Sequence, residues 1–103
     1  MKKANVFVDR VWAGQLIEYE PGKRYEFCYR EGYTGPSIGL SMPIVQAVYR
    51  FDQFPPFFEG FLPEGMMLEF LTQKTKIDPT DRFEQLVLLG KNLVGNLRVE
   101  RVL

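Results

Sequence analysis

With 103 residues, 46% hydrophobic and 25% charged, the chain is one domain of ordinary globular composition, spanning 1–103, with a modest core. Thirteen basic and thirteen acidic side chains cancel, and the basic runs Lys2-Lys3, Lys23-Arg24 and Lys74 with Lys76 are short and separate, which argues against binding a phosphate backbone. The absence of histidine removes Ser-His-Asp and Cys-His catalysis and the usual zinc ligand sets, and a single cysteine excludes an internal disulfide.

Val6 to Val8 is a β-favouring run, followed after Asp9-Arg10 by Val11-Trp12 and by Gln15 to Tyr19. This predicts a hairpin with its turn around Asp9 to Val11. Trp12 reads as a half-buried cover on a sheet in preference to a binding residue. Glu20-Pro21-Gly22-Lys23 is a turn, because proline presets φ at its second position and glycine supplies a positive φ at its third. In the next strand Tyr25, Phe27 and Tyr29 alternate with Arg24, Glu26, Cys28 and Arg30, which fits an antiparallel sheet with one buried face. Cys28 lies within that alternation as a structural thiol. Ser37 to Pro43 alternates again, with Ile38, Leu40 and Met42 on one side, and Pro43 ends it or marks an edge. A short strand is expected at Val48 to Phe51.

The middle of the chain is Pro55-Pro56-Phe57-Phe58-Glu59-Gly60-Phe61-Leu62-Pro63-Glu64-Gly65. The spacing of Phe57, Phe58, Phe61 and Leu62 places them on one side of a short helix that Pro55 and Pro56 start and Pro63 and Gly65 break. Met67, Phe70, Leu71 and Lys74 recur at helical spacing, so Met67 is expected to point with Phe70 and Leu71 toward the core, with Met66 nearer the edge. Asp78 is expected to cap a further helix with Pro79 in its first turn, Phe83, Leu86 and Val87 on its apolar face, and Gly90 ending it in a left-handed cap. Leu97 and Val99 alternate with Arg98 and Glu100 in a last strand.

Motifs that carry chemistry are weak. Gly90-Lys91-Asn92 resembles the end of a phosphate-binding loop but lacks its first glycine and its Ser/Thr. Glu59 and Glu64 form a carboxylate pair without partners to separate their pKa values. No cofactor, metal or catalytic residue is expected. Met1-Lys2-Lys3 is not followed by the apolar run of a signal peptide, and no run approaches a membrane span, so a cytoplasmic protein is expected.

Phe57-Phe58-Glu59-Gly60-Phe61-Leu62-Pro63-Glu64-Gly65 closely resembles the Phe-Phe-Glu-Asn-Leu-Leu-Pro-Glu-Gly stretch of the N-terminal subdomain of HipA-family serine/threonine kinases. Trp12-Ala13-Gly14-Gln15-Leu16, Leu40-Ser41-Met42-Pro43 and Asp81-Arg82-Phe83 to Leu89-Gly90, then Gly95-Asn96-Leu97, resemble further parts of it in the same order. Gly60 departs from the usual Asn, and Asn96 from the usual Ala. The resemblance implies an α+β fold, a small antiparallel sheet of about five strands packed with two to three short helices. It carries over none of the family's kinase residues, since those belong to the following kinase domain. A free-standing copy resembles HipS, the small subunit of split HipB-HipS-HipT toxin–antitoxin systems. That implies an antitoxin that binds a HipT-like serine/threonine kinase and holds it inactive, beside a HipB-like helix-turn-helix protein; the alternative is a passive module that completes the kinase fold or bridges the two. Pro63, Glu64, Gly65, Met66 and Met67 are the expected partner-contact residues, with Met66, Glu64 and Gly65 against the kinase's nucleotide or activation region. Otherwise the two methionines fill core.

Overall fold

Alternating apolar residues build the first half. In the computed structural model, which describes residues 1–91, 93 and 95–103, β1 (Lys2–Val8) and β2 (Val11–Glu20) form a hairpin. Its two turn residues, Asp9 and Arg10, both have positive φ (48° and 70°), as in a type I′ turn whose twist matches that of the strands. Gly22, at φ 76°, makes the expected turn into β3 (Arg24–Tyr29), and the Lys23 N–H closes it on the Glu20 carbonyl at 3.0 Å. β4 (Val48–Phe51) lies where the sequence places it. Then come α1 (Pro56–Glu59), α2 (Gly65–Thr75), α3 (Arg82–Leu89) and β5 (Leu97–Arg101). The strands form one sheet in the order β4-β3-β2-β1-β5, antiparallel throughout, with Val6 opposite Val99 and Leu16 opposite Phe27.

One face of the sheet carries Ala4, Val6, Val8, Leu16, Phe27 and Val99. Phe58 from α1 and Phe83 and Leu86 from α3 complete a core around them, all nearly sealed from solvent. Each of these valine, leucine and phenylalanine side chains stabilises the fold by roughly 1.5–3 kcal/mol. Tyr29 serves the core twice: its hydroxyl donates to the Met42 carbonyl at 2.5 Å and accepts the Ile38 N–H at 2.9 Å, pinning the long loop between β3 and β4.

Three expectations change here. Residues 37–43 are a turn-rich loop, not a strand: Ile38 and Met42 are buried, but Leu40 is fully exposed. Alternation over so few residues is also produced by a loop dipping two side chains into the core. Asp78 does not cap α3. It caps the preceding turn through Thr80, and Asp81 is the N-cap, accepting the Glu84 N–H at 3.1 Å. Gly90 does follow α3, but with φ −56° and not in a left-handed cap. A Cβ at Gly90 would overlap the Val99 carbonyl oxygen, so glycine is needed for the close approach of α3 to β5.

A polar cluster ties the two layers together at one end. Lys2 Nζ lies 3.0 Å from Glu84, 3.7 Å from Asp81 and 4.0 Å from Glu18, and Arg101 also pairs with Glu84. Glu18 is buried and accepts the Tyr25 hydroxyl at 2.8 Å, which in turn accepts the Gly22 N–H. Burial foremost, with Glu18 alongside, pushes Tyr25 up to about 12 against the opposing Gly22 bond.

Candidate functional surface at the turn between α1 and α2

Pro55 and Pro56 start α1 as expected, with the Pro55 carbonyl accepting the N–H groups of Phe58 and Glu59, both at 3.0 Å. Phe58 is fully buried against Phe27, and its loss would cost about 3–5 kcal/mol as a core Phe→Ala change. Phe57 packs edge-to-face on both Phe58 and Phe61 and lies where a Cβ on Gly39 would collide, so the β3–β4 loop seats on this turn. The segment is therefore an anchored platform.

From this platform the chain leaves the body. Leu62 and Pro63 are half-buried, and Glu64 is extended (φ −130°) and exposed. Gly65 enters α2 at φ 56°, a conformation that favours glycine. An ion pair at 3.1 Å between Glu59 and Arg82 braces the segment against α3, across a groove lined by Pro63, Glu64, Gly65, Leu68 and Gln85.

α2 buries no side chain fully. Met66, Met67 and Phe70 are 85%, 66% and 58% exposed. This corrects the expected orientation: Met67 and Phe70 face out, and the inner side is Leu68, Leu71 and Thr72, all half-buried. The expected set Met67, Phe70 and Leu71 and the inner set Leu68, Leu71 and Thr72 both have i, i+3, i+4 spacing and share Leu71, so periodicity admitted either face. The reading of the methionines as core is overturned with it. Of the five expected contact residues, Pro63, Glu64 and Gly65 border the groove, and Met66 and Met67 project from the helix beyond it.

Phe70, with Lys74 5.6 Å over its ring, was missed as a surface residue. The apolar run Met66-Met67-Leu68 ahead of it was the available signal, since it is too wide for a single core-facing stripe. Trp12 is 42% exposed, with its indole N–H donating to the Gly14 carbonyl at 3.0 Å and Arg30 over its ring at 5.8 Å, as a partly open cover. Burial and the neighbouring Glu26 carboxylate push the Cys28 thiol up, away from a reactive thiolate. Asn92 lies outside the described residues. Among the described residues no group of three or more His, Cys, Asp or Glu side chains is placed to hold a metal, and no helix is long and apolar enough to cross a membrane.

A family model described as the HipA N-terminal domain matches residues 4–100. An uncharacterized protein of Haemophilus influenzae is 29% identical over 100 residues, which are 97% of this chain and 92% of that protein. A protein of Sinorhizobium fredii named "Putative kinase Y4dM" is 30% identical over 83 residues, 71% of this chain; the chain spans only 20% of its length. Among solved structures, the N-terminal domain of HipA toxin superposes with a TM-score of 0.79 at 27% identity, covering 100% of this chain and 94% of that one.

Proposed function

We propose, from the premise that this chain belongs to the HipA N-terminal domain family, that it is a non-catalytic antitoxin which binds a HipT-like serine/threonine kinase and holds it inactive. The observation that carries this reading is α2, a helix that leaves Met66, Met67 and Phe70 in solvent directly after a braced turn. Methionine adapts its shape to a partner surface, and an aromatic one turn on supplies contact area. Glu64 and Gly65, at the mouth of the groove, reach the kinase with Met66 near its nucleotide or activation region, and Pro63 holds the bend. The protein works in the cytoplasm, with a HipB-like helix-turn-helix protein as a further member of the assembly.

Met66→Asp is the test. Met66 is 85% exposed, so the change leaves the thermal midpoint within about the range of other surface substitutions, ±0.5 kcal/mol in stability. Co-expressed with the kinase toxin, the variant fails to restore growth where the parent chain restores it. Unchanged protection removes the turn from the mechanism.

A second reading draws on the Sinorhizobium relative, in which the matched region is part of a much longer chain. There the domain is a structural module that completes a larger fold. In that case removing this chain leaves a partner kinase that is insoluble or inactive, whereas under inhibition its removal makes the kinase more toxic.

A further inference from the structure

The five-stranded sheet has two edges, and the fold treats them differently. On β5 the Val99 N–H donates to the Gly90 carbonyl at 3.0 Å, so the end of α3 occupies that edge. On β4 the Tyr29 N–H donates to the Ala47 carbonyl at 2.9 Å, and Tyr49 and Phe51 lie opposite Phe27 and Tyr25. Alternation along an antiparallel ladder then turns the main-chain groups of Val48 and Arg50 away from β3. Among the described residues, the Val48 carbonyl accepts only the exposed Gln46 side-chain amide on that side, at 2.7 Å. Among the described residues no main-chain group meets Arg50 on that side.

We propose that β4 receives an extended, acidic segment of another protein as a sixth strand. The charge beside the edge selects the occupant. An open cleft of about 580 Å³ at the end of β4 is bordered by Lys23, Arg24 and Arg50 against Asp52. Arg24 stacks over Tyr19 at 5.3 Å, and no carboxylate pairs with it among the described residues. Lys23 holds Glu20 at 3.7 Å in a pair exposed on both sides, which exchanges readily for an incoming carboxylate, and the exposed Arg50 reaches back to the largely covered Glu26 at 3.1 Å with outward N–H donors to spare. Main-chain pairing supplies affinity in such strand addition, and alternate side chains supply selectivity. A second copy of this chain is disfavoured as occupant, since it brings its own Lys23, Arg24 and Arg50 against these. The four-residue length of β4 and its outward charge are also devices that keep an edge from pairing with itself.

This inference does not rest on the kinase reading, and its test needs no kinase. A short peptide of alternating glutamate and valine is titrated into the purified chain, with the lysine–valine peptide as control. The acidic peptide is expected to bind saturably, to shift the amide resonances of Val48 to Phe51, and to slow exchange of the Arg50 amide. Arg50→Gln keeps the outward N–H and should weaken binding severalfold. Arg50→Pro removes the N–H as well, at a position where it makes no bond to β3, and should weaken binding at least tenfold with the fold intact by circular dichroism. Strand addition is overturned if the acidic peptide fails to bind, if the lysine peptide binds equally well, or if Arg50→Pro binds no more weakly than Arg50→Gln.

Discussion

Single residues decide whether the two layers meet. At Gly90 a side chain would strike the Val99 carbonyl, which is strand backbone and cannot rotate aside. Gly90→Ala is therefore expected to lower stability by about 1–3 kcal/mol, the usual range for overpacking, read as a drop in the urea midpoint at unchanged slope. Glu84 contributes to stability against acid. Burial opposes its ionisation, but hydrogen bonds from Lys2 and Arg101 outweigh this and hold its pKa below the ordinary 4.5. A carboxyl depressed in the folded state contributes stability above its unfolded value, and that contribution is lost as the pH falls through the lower folded value. The thermal midpoint should fall on acidification below about pH 4.5, and Glu84→Gln should flatten that fall while lowering the midpoint at neutral pH. At this scale sequence was a partial guide. Gly90 stood out as a glycine after a helix, but spacing carries no information about a strand packed across it. Leu40 showed the converse, an apolar residue in a regular alternation that points to solvent.

Elements were more legible than the faces they present. The Pro21-Gly22 turn, the aromatic stripe of β3, the proline start of α1 and the alternation of β5 are local patterns with local causes, and each appears where expected. The start of α3 was displaced by three residues, because Asp78 is taken up by the Thr80 turn and it is Asp81 that accepts the Glu84 N–H. α2 is the clearest divergence: its existence was readable, its orientation was not, because Met67, Phe70 and Leu71 have the same spacing as Leu68, Leu71 and Thr72 one position on. With no fully buried side chain, its hydrogen bonds should open at lower free energy than those of β1 to β3. Amide exchange checks this directly. The α2 amides should exchange fastest among the helices, and a bound partner should slow them more than any others.

At the scale of the whole molecule, the α+β architecture with a five-stranded antiparallel sheet and three helices follows the expectation from sequence, and the solved HipA toxin domain shares it. Strand order was beyond any local pattern, since nothing in residues 97–101 says that they pair with residues 4–8. That pairing has a consequence for how the protein is made. Synthesis runs from the N-terminus, so β1 waits with one side unsatisfied through the production of every intervening element. Local hairpins form early, whereas a contact across more than ninety positions, such as Ala4 with Arg101, carries a large loop-closure penalty and forms late. The nascent polypeptide is thus vulnerable to mispairing along β1 until residue 101 has left the ribosome.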